Sequence, residues 1–301
     1  MKKISVLALC FVFVLTFSVS SVRALAGEPA AKLKVSVSFE AMKEFAEAVG
    51  GDLAEVSVIV PAGGEPHDFE PKARDIMALA SAKVFVANGL GMEPWAEEAI
   101  RAAGNAGLIA VEASSGADVI KNTDLDEIDE HGEYDPHVWL SLNGAAAEVK
   151  NIADAFIEAD PSNREYYEKN RDEYTERLTS LYREYSEKFR SVSRKNFVTG
   201  HAAFAYLCRE FGLEQNSVED AFAEGEPSAR QLAELVEYCR KNGVTTIFSE
   251  EAASPEISRT LAGEVGADVV PIYTIEGPEN GMTYLERMTE NLSRIYESLG
   301  K

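Results

Sequence analysis

The sequence predicts an α/β protein with two (β/α) lobes of mostly parallel sheet, joined by one long spanning helix. The chain has 301 residues, which is more than a single hydrophobic core usually organises. Short β-rich runs alternate with helical stretches in two separate sets, a pattern typical of parallel sheets with crossover helices. Between the two sets, residues 163–192 contain neither proline nor glycine, which favours one uninterrupted helix.

The first set of elements predicts an N-terminal lobe, which we place at residues 27–159. Runs rich in β-branched residues are separated by stretches with apolar residues at helical spacing. The predicted strands are 33–39, 56–60, 83–88 and 108–111, and the predicted helices are 41–49, 73–81 and 95–103.

A linking helix is predicted at residues 160–192. Asp160-Pro161-Ser162 is a helix-start signal, and aromatic and apolar residues then recur at helical spacing on an otherwise charged stretch. At 1.5 Å per residue, thirty helical residues extend roughly 45 Å, enough to run along both lobes. A coiled-coil dimerisation helix is the alternative, but the stripe is shorter than the three to four heptads expected of one.

The second set of elements predicts a C-terminal lobe at residues 193–301. The predicted strands are 196–200, 215–218, 244–249 and 269–273, and the predicted helices are 202–211, 229–241, 255–265 and 284–299.

Residues 1–26 are typical of a secretory signal peptide. Two lysines precede an uncharged apolar run, and the segment ends in Ala24-Leu25-Ala26. A transmembrane anchor is the alternative, although the run is at the short end of a bilayer span. Cys10 lies inside the run and far from the cleavage point, so we expect no lipid anchor and a periplasmic location.

The chain is strongly acidic, with a formal net charge of −22. Such a charge repels nucleic acid phosphates and attracts cations, although solubility alone accounts for it. Residues 113–134 form an acidic segment that includes His131, which we interpret as a solvated loop or as a weak cation collector. Cys208 and Cys239 lie in predicted helices of a chain that we expect to be exported. The sequence is consistent with a disulfide between them and equally with two buried free thiols.

Three of the four histidines lie in short segments marked by proline or glycine. His67 follows a predicted strand and a glycine-rich turn, His201 follows a predicted strand directly, and His137 follows Pro136. In open α/β sheets, ligands collect at the carboxyl ends of the strands, and imidazole is a common zinc ligand. Each histidine alone is more typical of a hydrogen-bonded structural residue, whereas the three together predict one metal site assembled from distant segments.

The motifs around these histidines extend over essentially the whole exported chain. In order they are GEPHDFEP at 64–71, ANGLGMEPW at 87–95, DPHVWL at 135–140, GHAAF at 200–204 and IFSE at 247–250. This series resembles the periplasmic metal-binding proteins of ABC importers for zinc and manganese, the ZnuA and TroA type.

The resemblance implies two α/β lobes joined by a long helix, one divalent metal ion between them, and delivery of that ion to the membrane permease subunit of an ABC importer. It implies that His67, His137 and His201 are the metal ligands. With a histidine rather than a glutamate at the position of His201, this chain resembles the zinc carriers of the family. Three neutral nitrogens also suit Zn²⁺ better than Mn²⁺. A manganese-selective carrier is the alternative within the family.

The fourth ligand departs from the family pattern. Ile275 stands where many members have an aspartate, and the nearest carboxylate is Glu276. Either Glu276 or a water molecule is expected to complete the coordination. Asp68, Asp135 and Glu250 are interpreted as groups that orient imidazoles or support the structure.

Two other classes of function are consistent with parts of the sequence. Three histidines with an open fourth position also suit a secreted zinc hydrolase, but the sequence has no His-Glu-x-x-His motif and no general-base segment beside the histidines. An adhesin is a further class, and no residue of this chain points to it. We therefore expect a metal carrier that is not an enzyme, is monomeric and has no nucleic acid partner.

Overall fold

The computed structural model describes residues 31–122, 128, 132–218, 228–250, 255–279 and 281–300. The predicted signal peptide and His131 lie outside the described residues. Residues 32–301 form one compact unit. Within the described part of the chain, no helix combines the length and the apolar character needed to cross a membrane.

The N-terminal part forms a four-stranded parallel sheet with the order β2-β1-β3-β4. Apolar strand residues are buried between flanking helices, as in Val84–Ala87, whose four residues are all buried. The strands are β1 Leu33–Val37, β2 Ala54–Val58, β3 Val84–Ala87 and β4 Ile109–Glu112, and the helices are α1 Glu40–Gly50, α2 Ala73–Ser81 and α3 Ala96–Ala103.

The C-terminal part repeats this design with the order β6-β5-β7-β8, again all parallel. The strands are β5 Asn196–Thr199, β6 Glu214–Ser217, β7 Thr246–Ser249 and β8 Asp268–Pro271. The helices of this part are α6 Ala205–Phe211, α7 Ala229–Asn242, α8 Pro255–Val265 and α9 Tyr284–Gly300. The prediction of two parallel α/β lobes is therefore confirmed, while the predicted residue boundaries of the lobes stay a prediction.

The predicted linking helix is α5, Arg164–Arg190. Its buried face consists of Tyr167, Tyr174, Leu178, Tyr185 and Phe189, the aromatic and apolar stripe seen in the sequence. Asn170 Nδ2 donates to the carbonyl of Val49 in α1 at 2.9 Å, and Tyr185 Oη donates to the carbonyl of Thr289 in α9 at 3.4 Å. The helix therefore contacts both lobes, as predicted.

One long helix was missing from the sequence prediction. Helix α4 spans Leu142–Ala159 and packs against α1 and α5. Ser141 caps its first turn by accepting from the N–H of Gly144 at 3.0 Å. Glu210, from α6 in the other lobe, accepts from the N–H groups of Leu142 at 2.8 Å and Asn143 at 2.9 Å. The Glu210 carboxylate stabilises the start of α4 because negative charge is favourable at a helix N-terminus. The start of α4 is thus held by groups from both lobes.

The structure corrects one expectation about the C-terminal lobe and decides between two alternatives for its cysteines. The helix expected from residue 202 begins at Ala205, because Gln215 Nε2 donates to the carbonyl of His201 and Gln215 Oε1 accepts from the N–H of Phe204. Cys208 and Cys239 are both buried free thiols, so the disulfide alternative is wrong. Burial raises the pKa of the Cys239 thiol to about 11 and that of Cys208 further.

Candidate metal centre

His67 lies in the loop that follows β2. The chain stays paired with the end of β1 through Ile59 N–H to the Val37 carbonyl, and Gly64 N–H then closes a turn on the Pro61 carbonyl, both at 2.9 Å. His67 itself is buried, with 5 % of its surface exposed. The sheet edge and this turn therefore present the imidazole at the carboxyl end of the strands.

His137 is fully buried and fixed by Asp135. The Asp135 carboxylate accepts from the His137 backbone N–H at 2.9 Å and lies 2.8 Å from the ring Nδ1. No group among the described residues hydrogen-bonds to the ring Nε2, although that atom is buried. In the tautomer whose Nδ1–H donates to the carboxylate, Nε2 carries a free lone pair, which is the arrangement usual for a histidine that binds a metal.

The backbone on either side of His137 is held by two further side chains. Asn88, at the end of β3, donates from Nδ2 to the Pro136 carbonyl at 2.9 Å. Tyr206, on α6, donates from its hydroxyl to the Asp135 carbonyl at 2.6 Å and accepts from the N–H of Ile120 at 3.1 Å. Sequence reasoning missed Tyr206, although its place five residues after His201 was a usable signal. The His137 segment is therefore fixed from both lobes.

His201 lies in the turn between β5 and α6 and is 3 % exposed. The buried carboxylate of Glu250, at the end of β7, accepts from the N–H groups of Gly200 at 3.1 Å and His201 at 3.2 Å. Thr199 Oγ1 donates to the His201 carbonyl at 2.6 Å. Glu250 therefore supports the turn that carries the imidazole.

The three imidazoles converge. The ring centroids of His137 and His201 are 4.9 Å apart, those of His67 and His137 are 5.5 Å apart, and those of His67 and His201 are 6.2 Å apart. One ring nitrogen from each lies within 4.8 Å of those of the other two. Nitrogens bound to one tetrahedral zinc ion at ~2.05 Å are about 3.4 Å apart, so small side-chain movements would close the set around an ion.

Glu276 and Asp68, which the sequence analysis also considered, are not members of this three-imidazole group. Glu276 is buried, but among the described residues its carboxylate does not belong to the group whose ligand atoms lie within 4.8 Å of one another. Asp68 is exposed, in contrast to the buried imidazoles.

The segment that carries Glu276 is held against the His137 segment. Trp139 Nε1 donates to the Thr274 carbonyl at 2.7 Å, and the Glu276 carbonyl accepts from the N–H of Glu40 at 3.2 Å. Between them, the buried Ile275 has a φ of 63°, which is strained for a β-branched residue. The surrounding contacts therefore impose this backbone conformation.

Two parallel α/β lobes that bury three converging imidazoles define a two-lobed binding protein with a candidate metal site. The sequence matches the family model "Zinc-uptake complex component A periplasmic" over residues 35–298. The chain belongs to this family, ZnuA.

Similar proteins agree with that assignment. The chain is 45% identical over 278 residues to a Treponema pallidum protein provisionally named as metal-binding, covering 90% of this chain and 88% of that protein. It is 37% identical over 310 residues to the high-affinity zinc uptake system protein ZnuA of Bacillus subtilis, covering 98% of this chain and 96% of that protein. A mutant of the laminin-binding adhesin Lmb of Streptococcus agalactiae has a similar structure, with a TM-score of 0.82 and 33% sequence identity. The match covers 89% of this chain and 99% of the adhesin chain.

Proposed function

We propose that the protein is the metal-carrying component of an ABC zinc importer and that His67, His137 and His201 bind one Zn²⁺ through imidazole nitrogens. The convergence of three imidazoles from both lobes within 4.8 Å carries this proposal. Their burial and the hydrogen bond between Asp135 and His137 support it, because an oriented neutral imidazole is a stronger ligand. The zinc-uptake name of the Bacillus subtilis relative supports the choice of metal.

Calorimetric titration of the metal-free protein with zinc tests the three ligands. Alanine substitution of any one of the histidines should weaken binding strongly, since it removes one of three protein ligands. His131→Ala is the matched control, because it removes an imidazole that the motifs do not place in the site. A histidine whose removal leaves the affinity unchanged would be excluded from the site.

The fourth coordination position falls to water or to Glu276. The three imidazoles form a group within 4.8 Å to which Glu276 does not belong, which favours water. The burial of Glu276, on a segment bonded to Trp139, favours the carboxylate. Glu276→Gln distinguishes the two: an unchanged zinc affinity indicates water, and a large loss assigns Glu276 as a ligand.

Zinc is favoured over manganese because nitrogen ligands suit the softer ion. Competition between the two ions for the metal-free protein, together with metal analysis of protein purified without chelator, tests this choice. Manganese binding equal to or tighter than zinc binding would favour the manganese-carrier alternative.

We further propose that the chain acts outside the cytoplasm as a monomer, delivers its ion to a membrane permease subunit, and has no enzymatic activity or nucleic acid partner. The acidic net charge of −22 disfavours binding to nucleic acid phosphates, and the family membership supports delivery of zinc to an importer. Restored zinc uptake in cells that lack their own carrier tests delivery. Hydrolysis of ester, phosphate or lactam substrates that a chelator abolishes would instead favour the hydrolase alternative.

A further inference from the structure

Two histidines of the three-imidazole group follow the same short pattern, an acidic residue, a proline and then the histidine. The Asp135 carboxylate accepts from the backbone N–H of His137 at 2.9 Å, and the Glu65 carboxylate accepts from the backbone N–H of His67 at 3.3 Å. In both cases the acid therefore bonds the N–H end of the peptide unit that joins the proline to the histidine. Because a peptide unit is planar, a second bond to its carbonyl would fix its orientation.

Both of these carbonyls are bonded from one loop, which carries the motif ANGLGMEPW at 87–95 between β3 and α3. Asn88 Nδ2 donates to the Pro136 carbonyl at 2.9 Å, and Trp95 Nε1 donates to the Pro66 carbonyl at 3.4 Å. Both donors are on buried side chains, with 0 % of Asn88 and 8 % of Trp95 exposed. The same loop therefore reaches the backbone directly before two of the three imidazoles.

Contacts within the N-terminal lobe fix the start of this loop. The Glu93 carboxylate accepts from the backbone N–H groups of Asn88 at 2.8 Å and Gly89 at 3.0 Å, and Ser114 Oγ donates to the Asn88 carbonyl at 2.6 Å. Gly89 has a φ of 88°, and a Cβ there would lie 3.2 Å from Glu112 Cβ. The backbone that carries the Asn88 amide is thus held on both sides.

Ring contacts fix Trp95 at the other end of the loop. Its ring packs edge-on against Phe69 with the centroids 5.5 Å apart, and the ring of Phe85 on β3 lies 6.3 Å away. Phe69 is two residues after His67, whereas the bonded carbonyl of Pro66 is directly before it. Trp95 therefore contacts the His67 segment on both sides of the histidine, and packing supplements a long hydrogen bond.

We propose that Asn88 and Trp95 are positioning residues of the metal centre, with Asn88 acting through His137 and Trp95 acting through His67. Each orients the peptide unit before its histidine, which sets where the imidazole starts from the backbone. A metal site needs its ligands held within about 0.5 Å of the binding geometry by such supporting groups. The inference rests on the proposed zinc site, and it gives the motif at 87–95 a role in that site.

Zinc affinity of the full exported chain, measured by competition with a chelator, tests the two residues. Asn88→Leu removes the amide donor and keeps a side chain of similar size, and Trp95→Phe removes the indole N–H and keeps an aromatic ring. Each variant should bind zinc about 10-fold more weakly, at the low end of the effect usual for groups that support metal ligands. Wild-type affinity in either variant would overturn the role of that residue.

Two matched controls remove similar donors elsewhere. Asn105 Nδ2 donates to the carbonyls of Leu79 at 3.2 Å and Ala82 at 2.8 Å, at the amino end of β3 and so opposite the end that precedes the loop. Tyr185 is a buried aromatic residue whose hydroxyl donates to the Thr289 carbonyl at 3.4 Å. Asn105→Leu and Tyr185→Phe should both bind zinc as the wild type does.

Double variants separate positioning from a general loss of structure. Asn88→Leu should have no further effect on zinc affinity in His137→Ala and its full effect in His67→Ala. Trp95→Phe should show the reverse pattern. Additive losses in both backgrounds would overturn the proposal, because a merely structural role does not depend on which histidine is present.

Visible absorption of the Co²⁺-loaded single variants decides where a double variant binds zinc too weakly to measure. The spectrum reports the geometry of the ligands, so it should change in Asn88→Leu and Trp95→Phe and match the wild type in both controls. Wild-type spectra in both variants would overturn the proposal. If Asn88→Leu does not fold, Asn88→Ser replaces it, because the shorter side chain does not reach the Pro136 carbonyl.

The same measurements distinguish this inference from the proposed function. Zinc binding by the wild type with unchanged affinity in both variants would refute the positioning roles and leave the zinc site intact. Failure of the wild type and of both controls to bind zinc would refute the proposed function itself.

Discussion

Replacing Asp135 by asparagine should weaken zinc binding by removing the charged partner of His137. The Asp135 carboxylate lies 2.8 Å from His137 Nδ1 and accepts the His137 backbone N–H at 2.9 Å, so it fixes both the ring and the backbone. Asparagine has nearly the same shape, and its amide oxygen can still accept a hydrogen bond. The substitution therefore removes the negative charge while leaving the space filled.

The expected loss follows from the usual effect of such partners. Removal of a group that orients a metal-binding histidine costs roughly 10- to 100-fold in metal affinity, or about 1.4–2.7 kcal/mol. Only one of the three imidazoles has this partner removed, so the loss should be smaller than that of His137→Ala. Competition with a chelator of known zinc affinity measures both variants on one scale.

Asp154→Asn is the matched control, because Asp154 is an exposed acid on α4 whose ion pair with Lys150 lies at the surface. Its substitution changes the net charge equally and should leave the affinity within error of the wild type. The reasoning would be refuted if Asp135→Asn bound zinc as tightly as this control while His137→Ala did not. In that case His137 would need no charged partner to serve as a ligand.

Three further outcomes are expected. Zinc affinity should fall as the pH is lowered from 8 to 5, because a protonated imidazole has no free lone pair for the metal; flat affinity over this range would indicate carboxylate ligation instead. Arg287→Met should destabilise the fold by about 3–5 kcal/mol in urea unfolding, since it leaves Glu44 without its buried partner, whereas the exposed Arg190→Met should change little. Thiol titration of the denatured, unreduced protein should find both Cys208 and Cys239 reactive, and a reductant should not lower its melting temperature.

Most of the fold could be predicted from the sequence because its elements have clear periodic patterns. The aromatic stripe of α5 alternates with charged residues at helical spacing, and it proved to be the buried face. Helix α4 had a comparable pattern, with Leu142, Ala145, Val149, Ile152 and Phe156 all buried, and the prediction omitted it.

Other features could not be predicted from local sequence. Residues 202–204 do not continue into α6, because the side chain of Gln215 bonds to this turn from the neighbouring strand β6. The cap of α4 by Glu210 joins two groups separated by more than sixty positions. Such contacts depend on how distant elements pack, and no short-range pattern encodes them.

The sequence by itself determined the two sets of alternating strands and helices, the helix between them, and the three histidines that end up in one group. It did so because backbone periodicity and strand-end placement are local properties. Only the tertiary structure decided that the three ring nitrogens come within 4.8 Å of one another and that the Asp135 carboxylate lies 2.8 Å from Nδ1 of His137. Those results depend on side-chain directions and on the packing of one lobe against the other, which are set by contacts between residues far apart in the chain.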